Sequence, residues 1–251
     1  MPVDSFGRSP HSRVLVRWLT EALLVVVSIL VAFSLDAWWS ERQLAREVRE
    51  DLIVVDEELA RNVRTIESQV DQMQRIVAAS QTVGGLLLAS SADQPIEAAD
   101  TLIYWATSVT PTLDVSLGGL DALLASGRLQ AIADAELRVR LAGLRDRIGD
   151  AVEEQLVARD IALSRLAPRL TERFDYSQLD GIVAFTSGGL EERLVGGPMI
   201  GKRLVLFPND LGIRNTIGSR VGWYRVSISE MLGLLDEIGG IRKLIRAQVP
   251  K

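Results

Sequence analysis

Hydrophobic positions divide the chain into one continuous apolar segment and several segments with helical periodicity. Within residues 19–37, eleven of nineteen side chains are Leu, Ile, Val or Phe. Residues 18–39 would form roughly 33 Å of helix, which matches the hydrocarbon thickness of a bilayer. The pattern predicts a transmembrane helix at 18–39, preceded by a short basic tail at 1–17. A cleaved signal peptide and a buried helix of a soluble core are the alternatives.

Polar and aromatic side chains mark both borders of this segment. Trp18 stands at one border and Trp38 and Trp39 at the other, as in the aromatic belts of membrane helices. Glu21 and Asp36 lie near the ends and project within roughly 60° of each other on a helix. They indicate either a polar stripe that selects a partner helix or two carboxylates that reach opposite headgroup layers. The second interpretation needs no partner and is preferred.

A long amphipathic helix is predicted to continue directly from the apolar segment. Residues 11–83 contain neither glycine nor proline. Apolar residues recur there at spacings of three and four, as in a coiled coil or a bundle: Leu52, Val55, Leu59, Val63, Ile66, Val70, Met73 and Val77. The helix at 44–88 would be nearly 70 Å long, with its first break expected at Gly84 and Gly85 and the turn at residues 90–95.

The rest of the chain predicts shorter helices, a second long helix and a last helix. Short helices are expected at 96–108 and around 113–124, the latter ending at Gly127 in a left-handed cap. Asp134 would cap a helix reaching residue 174, with a kink or an early end at Pro168. Residues 175–208 are glycine-rich and predict an irregular insertion with β-prone pieces at 182–186 and 204–207. Asn209 or Asp210 would cap the last helix.

These elements predict an all-α fold. The transmembrane helix would continue into an antiparallel, four-helix-like bundle of long helices at residues 40–251, with the irregular or β-containing insertion at 175–208.

Composition excludes several classes of chemistry. The chain has no cysteine and one histidine, His11, in the N-terminal tail. Thiolate metal sites, cysteine nucleophiles and histidine-based relays are therefore not expected in the bundle. A net charge of −5 gives no basic field for nucleic acid. We expect no catalytic residue, no metal and no cofactor.

Two local motifs favour structure over chemistry. Residues 196–203 fit G-x-x-x-x-G-K, but Arg203 replaces the Ser or Thr that would hold magnesium, so no nucleotide site is expected. Asp56, Glu57 and Glu58 are expected on a solvated helix face.

A ligand pocket is the speculative alternative for four other side chains. It would be lined by Trp105, Arg128, Trp223 and Tyr224. Core packing explains the aromatic residues, and a helix cap explains the turn before Arg128.

The N-terminal segment resembles an uncharacterised family of bacterial single-span membrane proteins. The resemblance rests on Thr20–Glu21, the apolar run, Asp36, Trp38 and the following Glu41–Arg42. Thr20 stands where the family has Gly, and Ser40 where it has Asn. The resemblance is good over about residues 17–60, implies a membrane-anchored helical protein, and implies no reaction.

The function expected from the sequence is that of a single-pass scaffold, accessory or sensing protein in the bacterial inner membrane. Its partners would be the lipid bilayer and a protein or second copy that contacts the span and the bundle. Arg8, Arg13 and Arg17 precede the span and Arg42, Arg46 and Arg49 follow it, so the basic residues do not decide the orientation. A cytoplasmic N-terminus with the bundle outside is the expected arrangement. An extracytoplasmic ligand-binding module and a carboxylate-dependent hydrolase are the alternatives.

Overall fold

The computed structural model describes residues 10–91, 94–179 and 203–249. Helices dominate this part of the chain, and the predicted all-α class with a small β insertion is confirmed. The elements in chain order are α1 (Pro10–Ala89), β1 (Ile96–Ala99), α2 (Asp100–Thr107), α3 (Gly118–Ala125), a 3₁₀ turn (Arg128–Ala131), α4 (Ala135–Asp160), a π-helix (Ile161–Leu166), α5 (Ala167–Arg173), a 3₁₀ turn (Tyr176–Leu179), β2 (Leu204–Phe207) and α6 (Leu211–Gln248).

Helix α1 is one unbroken rod of 80 residues, about 120 Å long. It passes through Gly84 and Gly85 without a break, so the break predicted at the glycine pair was wrong. It ends at Ala89, directly before the turn predicted at residues 90–95. Each glycine disfavours the helix by about 1 kcal/mol relative to alanine. The neighbouring Val83 and Leu87 are fully buried, and their burial offsets that cost, since each contributes about 1.5–3 kcal/mol.

Helices α1 and α6 run antiparallel. Asp56 accepts a hydrogen bond from Arg242 at 2.8 Å, and Asn209 donates to the Leu87 carbonyl at 3.1 Å. We call the end of the bundle near Val48 the base and the end near Leu87 the tip. Since α6 begins at the tip, its C-terminal end lies at the base.

Helix α4 also runs antiparallel to α6, as two ion pairs between these helices show. The paired residues are seven positions apart on each helix. Arg140 contacts Glu237 at 3.4 Å and Arg147 contacts Glu230 at 3.2 Å. Chain direction therefore alternates: α1 leads to the tip, residues 96–131 return to the base, α4 rises again and α6 descends. This is the expected antiparallel arrangement with a broken second helix.

The second segment of the bundle, residues 96–131, is irregular and begins with a strand. The helix predicted at 96–108 was wrong at its start, because β1 pairs antiparallel with β2 and Ile96 lies opposite Phe207. Ile96 and Ala98 point inward while Glu97 is exposed, a period of two that overrides helical propensity. The strand predicted at 204–207 is confirmed, and the piece at 182–186 lies outside the described residues.

Local signals fix the ends of the later helices. Asp134 and Asp210 accept hydrogen bonds from the Leu137 and Ile213 amides, each at 3.0 Å, and so cap α4 and α6. Helix α5 continues past Pro168 to Arg173, so an early end at this proline was wrong, and a π-helix directly precedes α5. A proline cannot donate to the preceding turn, and the wider π turn accommodates its ring.

The bundle core consists of two apolar clusters, one toward the base and one toward the tip. Ile217 belongs to the tip cluster and Val221 to the base cluster. Buried polar side chains lie at this boundary, among them Arg220 and Ser80. A polar layer therefore separates the two apolar clusters, and it lies nearer the tip than the base.

Alanine substitutions at two glycines are expected to change the free energy of unfolding in opposite directions. Gly127 has a φ of +72°, whereas Gly143 is helical, and an added Cβ would meet no atom within 4 Å at either position. Gly127→Ala is expected to lower the free energy of unfolding by about 1 kcal/mol through strain. Gly143→Ala is expected to raise it by about 1 kcal/mol through helix propensity. Chemical denaturation monitored by circular dichroism measures both, and equal effects would contradict the assignment.

Candidate functional site

The N-terminal part of α1 projects from the bundle and carries a continuous apolar surface. Every large apolar side chain from Trp18 to Trp39 is 46–69% exposed, and the first buried residue of α1 is Val48. An 18-residue window of this helix has a mean hydropathy of 2.0 and no buried residue. The described residues thus contain one helix long and apolar enough to cross a membrane.

An exposed apolar surface of this size has a large free-energy cost in water. Burying one Val, Leu, Ile or Phe side chain contributes about 1.5–3 kcal/mol. Contiguous apolar patches beyond a few hundred Å² mark interaction surfaces in soluble proteins. The segment therefore needs an apolar environment that the bundle itself does not supply.

Hydroxyl groups inside the segment are satisfied within the helix. The Ser28 Oγ donates to the Leu24 carbonyl and the Ser34 Oγ to the Leu30 carbonyl, both at 2.8 Å. Such bonds remove the need for water at these depths. The carboxylates of Glu21 and Asp36 remain as the charged groups of residues 18–39, and both lie near its ends.

The border next to the bundle combines aromatic and cationic side chains. The Arg42 guanidinium lies 4.4 Å from the ring centroid of Trp38, and Trp39 is 60% exposed. Tryptophan with arginine is the composition of a membrane–water interface. From Trp39 to Val48 the helix rises about 14 Å, so the base of the bundle begins just beyond this border.

The four residues of the speculative pocket do not come together. Arg128 lies at the base, where its Nε is 2.7 Å from Asp51. That hydrogen bond raises the pKa of the Arg128 guanidinium. Tyr224 is fully buried near the middle of the bundle. On α1, Met73 contacts the Ser227 hydroxyl, one turn beyond Tyr224, at 3.5 Å, and the rise from Asp51 to Met73 is about 33 Å.

The two tryptophans of that pocket also have separate surroundings. Trp223 is 39% exposed on the outer side of α6. Trp105 is half-buried against both core clusters, with the Arg75 guanidinium 5.9 Å from its ring centroid. The predicted cap at Gly127 is present, since its φ is +72°. Arg128 therefore lies too far along the bundle to share a pocket with Tyr224, a separation that the sequence alone did not reveal.

Glu58 is a buried carboxylate, contrary to the solvated face expected for it. It is 3% exposed and accepts hydrogen bonds from the Gly119 and Leu120 amides and from the Ser116 hydroxyl, at 2.9–3.2 Å. These donors lie at the start of α3, where a carboxylate is favoured by free amides and the helix dipole. Asn62 bonds both the amide and the carbonyl of Ser116.

Arg220 is a buried cation, and the described residues place no carboxylate against it. Its guanidinium donates to the Ala106 carbonyl at 2.7 Å, to the Val109 carbonyl and to the Tyr224 hydroxyl. Burial lowers the pKa of Arg220, and Tyr224 opposes that shift. Glu58 and Arg220 thus both hold the irregular segment at 96–131 against the long helices.

The described residues contain no group of three His, Cys, Asp or Glu side chains suited to a metal ion. All of the G-x-x-x-x-G-K string except Arg203 lies outside them. Comparison with family models, with curated proteins and with solved structures gives no match.

Proposed function

We propose that this chain is a single-pass, membrane-anchored helical protein that serves as a scaffold, accessory subunit or sensor without catalysis. The observation that carries the proposal is the fully exposed apolar segment at 18–39, continuous with the long helix of the bundle. The bilayer is the environment that satisfies this surface. A bacterial inner membrane, with the N-terminus in the cytoplasm, is the proposed location.

The energetics of insertion support this proposal. The eleven Leu, Ile, Val and Phe residues of the segment contribute roughly −3 to −7 kcal/mol to insertion. Glu21 and Asp36 oppose it, but each costs less near an end than the roughly 2.5–3.5 kcal/mol of a central charge. The balance therefore favours a spanning helix.

The rigid connection between anchor and bundle supports a mechanical or positional role. Because α1 has no break between the segment and Ala89, a partner bound at the tip would be held about 70 Å from the border at Trp39. Such a rigid connection suits a scaffold or accessory role, in which a partner is held at a fixed distance from the border.

The absence of cysteine allows a direct test of the orientation. Ser9→Cys places a single thiol in the tail, and Glu153→Cys places one on an exposed position of α4. In intact spheroplasts, a membrane-impermeant maleimide is expected to label Glu153→Cys and to leave Ser9→Cys unlabelled. Lysed cells should label both variants. Labelling of Ser9→Cys alone would reverse the proposed topology.

A small-ligand-binding module is the second candidate function. A cleft of about 570 Å³ between α1 and α6 at the tip favours it, and it includes Gly84, Gly218 and Arg214. Thermal unfolding in the presence of a metabolite panel tests this candidate, and no stabilisation at saturating concentrations would remove it. The carboxylate-dependent hydrolase has no such support, because the buried Glu58 and Asp100 bond to backbone amides.

A further inference from the structure

A second cleft at the tip has a different composition. It lies between the π-helix and the first turns of α6 and has a volume of about 420 Å³. Arg165 and Arg169 line it together with Ser164, Asn215 and Ser219, and none of its described lining residues is acidic. Two cations, three hydroxyls and an amide thus line the same space, which is unlike the mostly apolar cleft on the other side of α6. The Ser164 hydroxyl donates to Asp160 and the Thr216 hydroxyl to the Gly212 carbonyl.

The position of Arg169 depends on a glycine of α6. A Cβ added at Gly212 would lie 1.7 Å from the Arg169 Nη1, so any larger residue would displace the guanidinium. The nearest carboxylate contact of Arg169 is 4.0 Å, to Asp210, whereas Arg173 approaches that carboxylate to 2.9 Å. Arg173 therefore neutralises Asp210, and the Arg169 guanidinium keeps donors for another acceptor.

Two further features add to the positive potential of the cleft. Arg165 forms no ion pair with the residues that the structure describes. Gly212 belongs to the first turn of α6, a helix of 38 residues, whose N-terminal end carries the positive end of the dipole. The π-helix before Pro168 widens the turn that carries Ser164 and Arg165, and π segments frequently accompany functional sites.

We propose that this cleft binds a small soluble anion bearing phosphate or carboxylate groups. The arginines would supply charge-assisted hydrogen bonds, and Asn215 and Ser219 would orient the ligand. The tip lies about 70 Å along α1 from the border at Trp39, so headgroups of the anchoring membrane do not reach it. The site stands independently of the orientation of the protein in the membrane.

The test uses the full chain in nanodiscs of zwitterionic lipid, with thermal unfolding followed by tryptophan fluorescence. Pyrophosphate and citrate, each titrated at constant ionic strength, are the phosphate and carboxylate probes. At least one of them is expected to raise the midpoint of unfolding saturably. Arg165→Gln/Arg169→Gln is expected to weaken that binding by about tenfold or more, equivalent to about 1.4 kcal/mol.

Two glycine variants of α6 provide the matched comparison. Gly212→Ala shifts the Arg169 guanidinium and is expected to weaken anion binding, but by less than the double glutamine variant because Arg165 is unchanged. Gly222→Ala lies on the same helix outside both clefts, where a Cβ would meet no atom within 4 Å, and should bind as the parent does. Equal midpoint shifts in all variants would reveal a general salt effect and overturn the proposal. No saturable shift with either probe would also overturn it.

Discussion

Glu58→Ala is expected to lower the free energy of unfolding by about 3–5 kcal/mol. The substitution removes the acceptor of the Gly119 and Leu120 amides, which are then buried without a partner. Each unsatisfied donor costs about 1–3 kcal/mol, and the lost charge at the start of α3 adds to this. Glu58→Gln keeps one carbonyl oxygen in place, so about half of the loss is expected for it.

Glu57→Ala is the control, because Glu57 is the exposed neighbour of Glu58 on α1. Its effect should stay within about 0.5 kcal/mol, as is usual for surface positions. Urea unfolding of the full chain in detergent, followed by circular dichroism, measures the three variants together. A loss below about 1 kcal/mol for Glu58→Ala would show that α3 does not depend on this carboxylate.

Arg220→Ala is expected to lower the free energy of unfolding by a similar amount, about 3–5 kcal/mol. It leaves a cavity at the boundary of the two core clusters, and truncation of large buried side chains has costs in this range. It also removes the donors of the Ala106 and Val109 carbonyls. The irregular segment at 96–131 would then lose these hydrogen bonds to α6.

Arg220→Met separates packing from hydrogen bonding. Methionine fills much of the same space and removes the desolvation of a buried cation, which can offset lost polar contacts. We expect it to cost less than half as much as Arg220→Ala. The exposed Arg225 provides the control, with an effect within about 0.5 kcal/mol for Arg225→Ala. Equal losses for Arg220→Met and Arg220→Ala would mean that the hydrogen bonds dominate.

Periodicity predicted the long helices because burial on one face leaves a direct record in the sequence. The seam from Leu52 to Val77 is buried on α1 almost as expected, and the caps at Asp134 and Asp210 follow from short-range backbone chemistry. The glycine pair at 84 and 85 was misleading, because tertiary packing of its neighbours outweighs the local preference.

The buried polar sites were not predictable in the same way. Glu58 lies in a run of acids and looks solvated, but three residues before it Val55 and four after it Asn62 are on the buried side of α1. Helical spacing from these neighbours was the available signal. The sequence around Arg220 gives no such signal, because the carbonyls that it bonds are more than a hundred residues away in the chain. Contacts between residues so far apart in the chain can be identified only from the folded structure.

Alkaline carbonate extraction of membranes tests the central claim, that the segment at 18–39 spans a bilayer, most directly. The parent chain is expected to remain in the membrane pellet. Val27→Arg/Leu30→Arg adds about 5–7 kcal/mol against insertion at the centre of the helix and should move the protein to the supernatant. Release of the intact parent chain into the supernatant would contradict the account.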